Sequence, residues 1–271
     1  MLLVAGILAT LVIQSCTVEK KLARKYIREC KKESVLVIPV DFTYRYNAGA
    51  YIDTGYLKTA DLQDSAAYAQ SYYLQYISDS VFLEKFYNSF IGAFGKAGFN
   101  VIVSYSSDSF FAQPEPSWIV NFSQLQLDED YTIDTVELYE NEGTARYQVT
   151  LFQVGVGIWI ELSPVNNTNS RKQTLYKRLF IEEDYDIAVP FDFETGSFEY
   201  IIKVKEITPD DVYGMAPAAG RKFAGMVFDF LLNDYIRINL PVTEPRRSLW
   251  HYDLKTGSLN DKPFEKLEFV R

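Results

Sequence analysis

The strand-rich stretch between residues 118 and 204 is the feature that most constrains the fold of this chain. Four segments within it combine β-branched, aromatic and aliphatic residues over strand lengths, and turn-forming residues separate them. These segments cover residues 118–127, 146–162, 174–182 and 198–204. Consecutive strands joined by turns usually pair with each other, so we expect an antiparallel sheet at the centre of the molecule.

Two glycines predict a local irregularity in this sheet. Because side chains alternate between the two faces of a strand, Gly155 and Gly157 lie on the same face as Trp159. We expect either a β-bulge there or an aromatic ring lying across the bare backbone. We interpret the irregularity as a packing feature.

Two long helices are expected to pack on the sheet. The first is indicated by an apolar stripe at steps of three and four residues, made up of Phe82, Phe86, Phe90, Ala93 and Ala97. Asp79 or Ser80 is expected to cap its start, and Gly95 and Gly98 are expected to end it. Strand-like runs at residues 35–40 and 99–103 flank this helix, which gives a strand–helix–strand unit.

The second long helix is expected to begin at Thr208. Threonine is a good N-cap, Pro209 fits the first turn, and the two aspartates that follow favour the positive end of the helix dipole. A wide apolar face then continues to about residue 238, so much of this helix should be buried.

The N-terminus begins with an uncharged, mostly apolar run that ends at Cys16. A transmembrane helix needs about 20 apolar residues, so this run is too short to span a membrane. Its last residues, Ile13-Gln14-Ser15-Cys16, resemble the lipobox of bacterial lipoproteins, although Gln14 stands where a small residue is more usual. The resemblance implies a signal peptide over residues 1–15 and acyl chains, such as palmitate, on Cys16. An ordinary cleaved signal peptide and an uncleaved short anchor are the alternatives.

Residues 19–32 predict a short helix next to this anchor. Leu22, Tyr26 and Ile27 lie at helical spacing, and the rest of the segment is strongly basic. Such a helix either tethers the domain or lies against anionic headgroups beside the lipid.

The predicted organisation has three parts: a lipoprotein signal peptide over residues 1–15, a lipidated tether helix over residues 16–33, and a single globular domain over residues 34–271. The predicted fold class is α+β, with a mainly antiparallel sheet, two long helices packed against it and the N-terminal lipidated tether helix. Once Cys16 is acylated, Cys30 is the only thiol left, so no internal disulfide is expected.

Charge and motifs argue against several classes of function. A formal net charge of -9 works against nucleic-acid binding, because affinity for phosphates comes from Lys and Arg. The chain has one histidine, His251, so a zinc site built from several His and Cys ligands is not supported. His251 lies between Trp250 and Tyr252, and we interpret it as part of a packed segment. We therefore expect a non-enzymatic protein with no cofactor and no metal ion.

Two acidic clusters are the other candidates for a metal site. Asp128-Glu129-Asp130 and residues 182–186 could supply oxygen ligands for calcium. Neither cluster has the glycine and the spacing of an EF-hand loop, so we interpret both as solvated strand ends.

Aromatic residues make up 15% of the chain and supply area for contact surfaces as well as for the core. Four tyrosines in the looser segment 41–60 are hard to bury, so we expect them to contact a partner: Tyr44, Tyr46, Tyr51 and Tyr56. Three more form either a surface for sugar or protein, or a part of the core: Tyr72, Tyr73 and Tyr76.

The strand–helix–strand unit over residues 35–105 is similar in arrangement to the first unit of periplasmic α/β lipoprotein domains, such as the N-terminal domain of TolB and the curli-secretion lipoprotein CsgG. As a whole, the chain resembles Bacteroidota-type envelope lipoproteins, which implies lipid anchorage in the outer membrane. The residues after Cys16 lack the acidic pair that accompanies export to the cell surface, which favours the periplasmic face.

These features together lead to an expected function. The chain is expected to be a membrane-anchored accessory lipoprotein that docks on an outer-membrane protein of an assembly, transport or secretion complex. The alternative is a carbohydrate-binding or carbohydrate-processing envelope protein.

Overall fold

The computed structural model describes residues 18–47, 71–104, 108–113, 116–140, 143–165, 169–194, 196–246 and 248–262. The strands are β1 (Ser34–Ile38), β2 (Tyr44–Asn47), β3 (Asn100–Val103), β4 (Pro116–Glu140), β5 (Gly143–Pro164), β6 (Gln173–Glu182), β7 (Asp184–Ala188), β8 (Phe191–Asp192), β9 (Ser197–Phe198), β10 (Ile201–Lys205), β11 (Leu249–Tyr252) and β12 (Leu259–Lys262). The helices are α1 (18–29), α2 (Asp79–Ala97), α3 (Asp108–Phe111) and α4 (Pro209–Asn239), with 3-10 turns at Cys30–Lys32 and Leu74–Tyr76. The predicted α+β class is confirmed.

The main sheet has the strand order β3-β1-β4-β5-β6, and β2 pairs with β4 beyond β1. β1 runs parallel to both β3 and β4, whereas β5 is antiparallel to its two neighbours, β4 and β6. Three of the four strands predicted for the antiparallel sheet are therefore the β4–β5–β6 half. The fourth, predicted at residues 198–204, is wrong as a strand of this sheet, because β10 pairs with β7 instead. The strand–helix–strand unit formed by β1, α2 and β3 adds the parallel half.

α2 and α4 cover one face of this sheet. Four phenylalanines of α2 are completely buried: Phe82, Phe86, Phe90 and Phe94. Phe122 of β4 stands edge-on to Phe86 and Phe90, with ring centroids 5.6 and 5.0 Å apart. The three phenylalanines of the predicted stripe are thus buried between α2 and the sheet, whereas Ala93 and Ala97, also predicted in the stripe, are only partly buried.

The ends of α2 are set by a serine and a glycine. Ser78 is the N-cap residue, so the expectation that Asp79 or Ser80 caps the helix is wrong. Instead of capping its own helix, the Asp79 carboxylate accepts from Thr43, which precedes β2, and pairs with Arg45 of β2. Gly98 ends α2 with a φ of 108°, as expected, whereas Gly95 lies inside the last turn.

α4 begins as the sequence predicts. The Thr208 hydroxyl accepts a hydrogen bond from the Asp211 N–H, and the Asp211 carboxylate accepts one from the Thr208 N–H at 2.9 Å. Gly220 then brings α4 into contact with α2, because a Cβ at this position would lie 2.4 Å from the Phe86 carbonyl oxygen. Within the described ranges, no helix combines the length and the apolar character that crossing a membrane requires.

β4 and β5 extend past β6 as a two-stranded ribbon. Pairing of β5 with β6 stops at Gln153, whereas pairing of β4 with β5 continues to Glu140 and Gly143. One side of the ribbon forms a second apolar cluster with β7 and β10, made up of Val136, Leu138, Val149, Leu151, Tyr185, Tyr200 and Ile202. The sequence predicted that the strand corresponding to β4 ends at residue 127. This is wrong, because Asp128 and Glu129, the acidic residues that follow, are paired inside the fold.

α1 contributes to the main core. Ala23, Tyr26 and Cys30 are buried, and the Tyr26 ring lies 5.9 Å from Phe228 and 5.1 Å from Tyr235 of α4. The helix expected to act as a tether therefore packs on α4 along one side. Cys16 lies outside the described residues, and the division of the chain at residue 33 stays a prediction.

The Cys30 thiol is expected to be unreactive in the folded protein. Burial raises its pKa to about 12, and its sulfur lies 3.7 Å from the Ala97 carbonyl oxygen. In a Cys16→Ser background, labelling with a disulfide reagent at mildly alkaline pH should be at least about 100-fold slower than in guanidinium chloride, since the thiolate is the attacking species. Equal labelling rates in the two conditions would contradict the burial of Cys30.

Candidate functional site

The face of the main sheet opposite the helices carries aromatic and charged side chains. Side chains of residues that pair across neighbouring strands point to the same face of a sheet, and side chains alternate between the two faces along each strand. Leu127 and Val156 are buried on the helix side, so the residues next to them point to the opposite face. The rows on the opposite face are Tyr46–Asp128–Gly155–Phe180, Tyr44–Gln126–Gly157–Arg178 and Gln124–Trp159–Tyr176. We call these residues the open sheet face.

Aromatic side chains are exposed at both edges of the open sheet face. Tyr44 and Tyr46 are 49% and 43% exposed, and Phe180 at the other edge is 56% exposed. Phe42 adds a ring 5.1 Å from that of Tyr44. Two of the four tyrosines expected to contact a partner are thus on the surface, and Tyr51 and Tyr56 lie outside the described residues. Their contact role stays a prediction.

An ion pair crosses the middle of the open sheet face. The guanidinium Nε of Arg178 lies 3.0 and 3.1 Å from the two carboxylate oxygens of Asp128. A Cβ on Gly155 would lie 2.2 Å from an Asp128 oxygen and 2.7 Å from Arg178 Nε, so the glycine leaves room for the pair. Burial raises the pKa of the Asp128 carboxyl, and Arg178 offsets only part of this effect.

The neighbouring glycine lies beneath aromatic rings. Trp159 and Tyr176 have ring centroids 4.2 Å apart, and both rings lie within 3.5 Å of the position that a Cβ on Gly157 would take. The expected aromatic ring across bare backbone is confirmed. A β-bulge is also present, on the partner strand between Phe122 and Gln124.

The position of β2, and with it the two exposed tyrosines, is fixed by contacts on the opposite side of the strand. Arg45 pairs with Asp79 and donates to two backbone carbonyl groups before α2, at 2.7 and 2.6 Å. Asp79 also accepts from the Thr43 hydroxyl at 2.7 Å. Burial alone would raise the pKa of Asp79, but Arg45 and Thr43 outweigh it and hold that pKa below its usual range. Tyr44 and Tyr46 are therefore presented by an anchored strand.

A second candidate surface is a cavity of about 650 Å³ beside α4, which we call the tyrosine cavity. Its walls include Tyr72, Tyr73, Tyr76, Phe152, Glu183 and Glu206. Tyr72 and Tyr76 are 61% and 64% exposed, and the Tyr72 ring lies 4.5 Å from that of Phe152. Of the three tyrosines left open between surface and core, two are thus on the surface.

Tyr73 has a different environment from its two neighbours. Its hydroxyl donates to the Glu183 carboxylate, which also accepts from the Phe152 N–H at 2.9 Å. Burial raises the pKa of Tyr73 above its usual range, and the hydrogen bond to Glu183 raises it further. Both carboxylate oxygens of Glu183 therefore already accept hydrogen bonds from residues that line the cavity.

The interpretation of the acidic clusters as solvated strand ends is wrong for Asp128, Glu129 and Glu183, which are buried, whereas Glu182, Asp184 and Asp186 are exposed as expected. Asp128, Glu129 and Glu183 are 6%, 1% and 5% exposed. Asp128 pairs with Arg178, and Glu129 accepts from the backbone of residues 72–74. In the part of the chain that the structure describes, no three His, Cys, Asp or Glu residues are grouped to hold a metal ion.

His251 lies at a cavity wall, whereas its neighbour Trp250 is buried. The Nδ1 atom of His251 is 2.5 Å from an Asp229 carboxylate oxygen, and the other oxygen accepts from the Tyr252 N–H at 2.8 Å. The interpretation of this segment as packed therefore holds for Trp250, which is buried, and for Tyr252, whose ring lies 5.1 Å from that of Phe228, whereas His251 lies at the surface of that cavity. Sequence reasoning missed the partner, because Asp229 lies on α4 with no motif linking it to His251.

No protein-family model matches the chain, and no curated protein matches it. The open sheet face and the tyrosine cavity are the described features that bear most directly on function. Both present aromatic side chains to solvent, one as a sheet surface and the other as a concave wall.

Proposed function

We propose that the protein is a non-enzymatic, lipid-anchored accessory lipoprotein of the bacterial outer membrane that docks on an assembly, transport or secretion complex through its open sheet face. The observation that supports the proposal is the exposure of Tyr44, Tyr46 and Phe180 on one face of the sheet. Exposed aromatic side chains bury large areas on contact and recur as the dominant residues of protein interfaces. In this proposal the anchor is the acylated Cys16, on the periplasmic side of the membrane.

The arrangement of the open sheet face suits a protein partner. Aromatic rings lie at its two edges, and the Asp128–Arg178 pair lies between them. Arginine and aromatic residues are enriched in interfaces, whereas unpaired charges are depleted there. Asp128 neutralises Arg178 within the protein, so a partner that covers this face need not supply its own carboxylate.

The docking proposal predicts loss of a partner when the two tyrosines of β2 are removed. Affinity purification of the tagged protein in mild detergent should recover an outer-membrane protein in stoichiometric amount. The Tyr44→Ser/Tyr46→Ser variant should recover at least about tenfold less of that outer-membrane protein, because each of the two aromatic anchors contributes more than about 1 kcal/mol to binding. Ile133→Ser is the matched control, since Ile133 is 56% exposed on the ribbon, outside the open sheet face. Recovery of the wild-type protein alone would contradict the proposal.

The anchor is tested separately with the two cysteines of the chain. Metabolic labelling with an alkyne analogue of palmitate should mark the wild-type protein and the Cys30→Ser variant equally. Cys16→Ala should lose the label and leave the membrane fraction, because the acyl chains are the proposed attachment. Label retained by Cys16→Ala would rule out acylation at this residue.

The tyrosine cavity favours carbohydrate binding as a second candidate function. Tyr72 and Tyr76 are largely exposed in a cavity that the Glu206 carboxylate also lines, which suits stacking and hydrogen bonding to a sugar. Binding of the purified protein to a glycan array, lost in Tyr72→Ala/Tyr76→Ala and kept in Tyr44→Ser/Tyr46→Ser, would favour this function. Loss of the outer-membrane partner in Tyr44→Ser/Tyr46→Ser, with full recovery of that partner in Tyr72→Ala/Tyr76→Ala, would favour docking.

A further inference from the structure

A groove separates α2 from α4 beyond the point where they cross. The helices touch at Gly220, and the space between them then opens into a cavity of about 780 Å³ that also reaches β6 and the turn between β11 and β12. Gly92 on α2 and Gly225 on α4 both line it, and neither has an atom within 4 Å of the position a Cβ would take. The volume is in the range of sites that hold small molecules.

The groove has an apolar floor. The side chains that form it come from both helices, from β6 and from the β11–β12 turn: Ala93, Leu175, Met226, Phe230, Tyr252 and Leu254. The floor is supported from within, since the Phe230 ring stands edge-on to Trp118 of β4 at 5.9 Å. Such a surface releases ordered water when it contacts an alkyl chain.

The same groove has a basic rim. Its cations come from α2, β6, α4 and the β11–β12 turn, and they are Lys96, Lys177, Arg221, Lys222 and Lys255. Among the described residues, none of these cations forms an ion pair. This concentration of positive charge stands out in a chain whose formal net charge is -9.

The two carboxylates in the groove are already engaged. Asp229 binds His251 and the Tyr252 N–H, and Asp253 accepts from the Lys255 N–H at 2.7 Å. Five cations and two carboxylates therefore line this groove, so its rim carries a net positive charge.

We propose that this groove binds an anionic amphiphile, meaning one molecule with a phosphate or carboxylate headgroup and an alkyl chain. The headgroup is held by the adjacent Arg221 and Lys222 of α4, and the chain lies on the apolar floor. A purely polar anion would leave the floor in contact with water, and a neutral lipid would leave the rim unpaired. The groove shares Tyr176 with the open sheet face, but Tyr44, Tyr46 and Phe180 do not line it, so binding in the groove is tested separately from docking.

The test uses calorimetry on the proposed mature chain, residues 16–271 with Cys16→Ala, so that neither the apolar signal peptide nor detergent is present. Dodecyl phosphate below its micelle concentration should bind with one-to-one stoichiometry. Inorganic phosphate, dodecyl maltoside and dodecyl trimethylammonium should each bind at least about tenfold more weakly, because each lacks either the chain or the negative charge. Binding of inorganic phosphate as tightly as dodecyl phosphate, or equal binding of the cationic amphiphile, would overturn the proposal.

Two variants locate the site. Arg221→Glu/Lys222→Glu should weaken the binding of dodecyl phosphate at least about tenfold. Arg171→Glu/Lys172→Glu makes the same charge change on residues outside the groove and should leave that binding unchanged. Gly225→Leu should also weaken binding by filling the groove without altering charge. Circular dichroism and urea unfolding check that each variant folds. Full binding by folded Arg221→Glu/Lys222→Glu and Gly225→Leu proteins would place the ligand elsewhere and overturn the proposal.

Discussion

Replacing Glu129 with alanine is expected to destabilise the protein by about 4 kcal/mol. Glu129 is 1% exposed, and its carboxylate accepts from the Ser71 hydroxyl at 2.6 Å and from the N–H groups of Tyr72 and Tyr73 at 2.8 and 3.0 Å. Removing the carboxylate leaves these donors without an acceptor in a site that water does not reach. The loss should appear as a lower urea midpoint with little change in the slope of the transition.

Matched variants on the same strand separate this effect from a general loss of charge. Glu137→Ala should change stability by less than about 0.5 kcal/mol, since Glu137 and its partner Arg146 are both largely exposed. Glu129→Gln should recover only part of the loss, because the amide nitrogen cannot accept the bonds that one carboxylate oxygen accepts. A Glu129→Ala protein as stable as Glu137→Ala would show that Glu129 does not hold the 71–76 segment.

Replacing Gly220 with alanine is expected to cost about 2–3 kcal/mol, although alanine is the better helix former. A Cβ at this position would lie 2.4 Å from the Phe86 carbonyl oxygen and 3.0 Å from the Phe90 nitrogen, both of them backbone atoms of α2. Backbone atoms cannot rotate away as the end of a flexible side chain can, so the two helices must separate. Thermal and urea unfolding measure the loss.

Gly214→Ala is the control for the helix itself. Gly214 is exposed on the same helix and has no atom within 4 Å of the added Cβ. Its replacement should stabilise the protein by roughly 1 kcal/mol through helix propensity alone. Gly214→Ala should therefore raise the free energy of unfolding, and Gly220→Ala should lower it. A stabilising effect of Gly220→Ala would contradict the close crossing of α2 and α4.

The elements that the sequence predicted well are those determined locally. The cap at Thr208 and the end of α2 at Gly98 depend on residues within one helical turn, and the Phe82-Phe86-Phe90 stripe depends on helical spacing alone. The exposed Tyr44 and Tyr46 could be anticipated because the segment around them lacks a buried pattern. The other residues of the open sheet face could not be anticipated, because only the register between the strands brings them together.

The features that the sequence did not reveal depend on distant partners. Asp128 and Glu129 read as a solvated strand end, because Arg178 lies 50 residues away and Ser71 lies 58 residues away. The basic groove is assembled from α2, β6, α4 and the β11–β12 turn, each contributing one or two cations. None of these residues belongs to a recognisable motif, so only the fold shows that they share one cavity.

Site-specific photo-crosslinking in cells tests the docking proposal most directly. A photoreactive phenylalanine in place of Tyr46 or Phe180 should crosslink to the same outer-membrane protein, since both positions lie on the open sheet face. The same residue in place of Ile133, equally exposed but on the ribbon, should give no such product. Absence of a protein crosslink from Tyr46 and Phe180, in cells where the protein is present and membrane-bound, would contradict docking through this face.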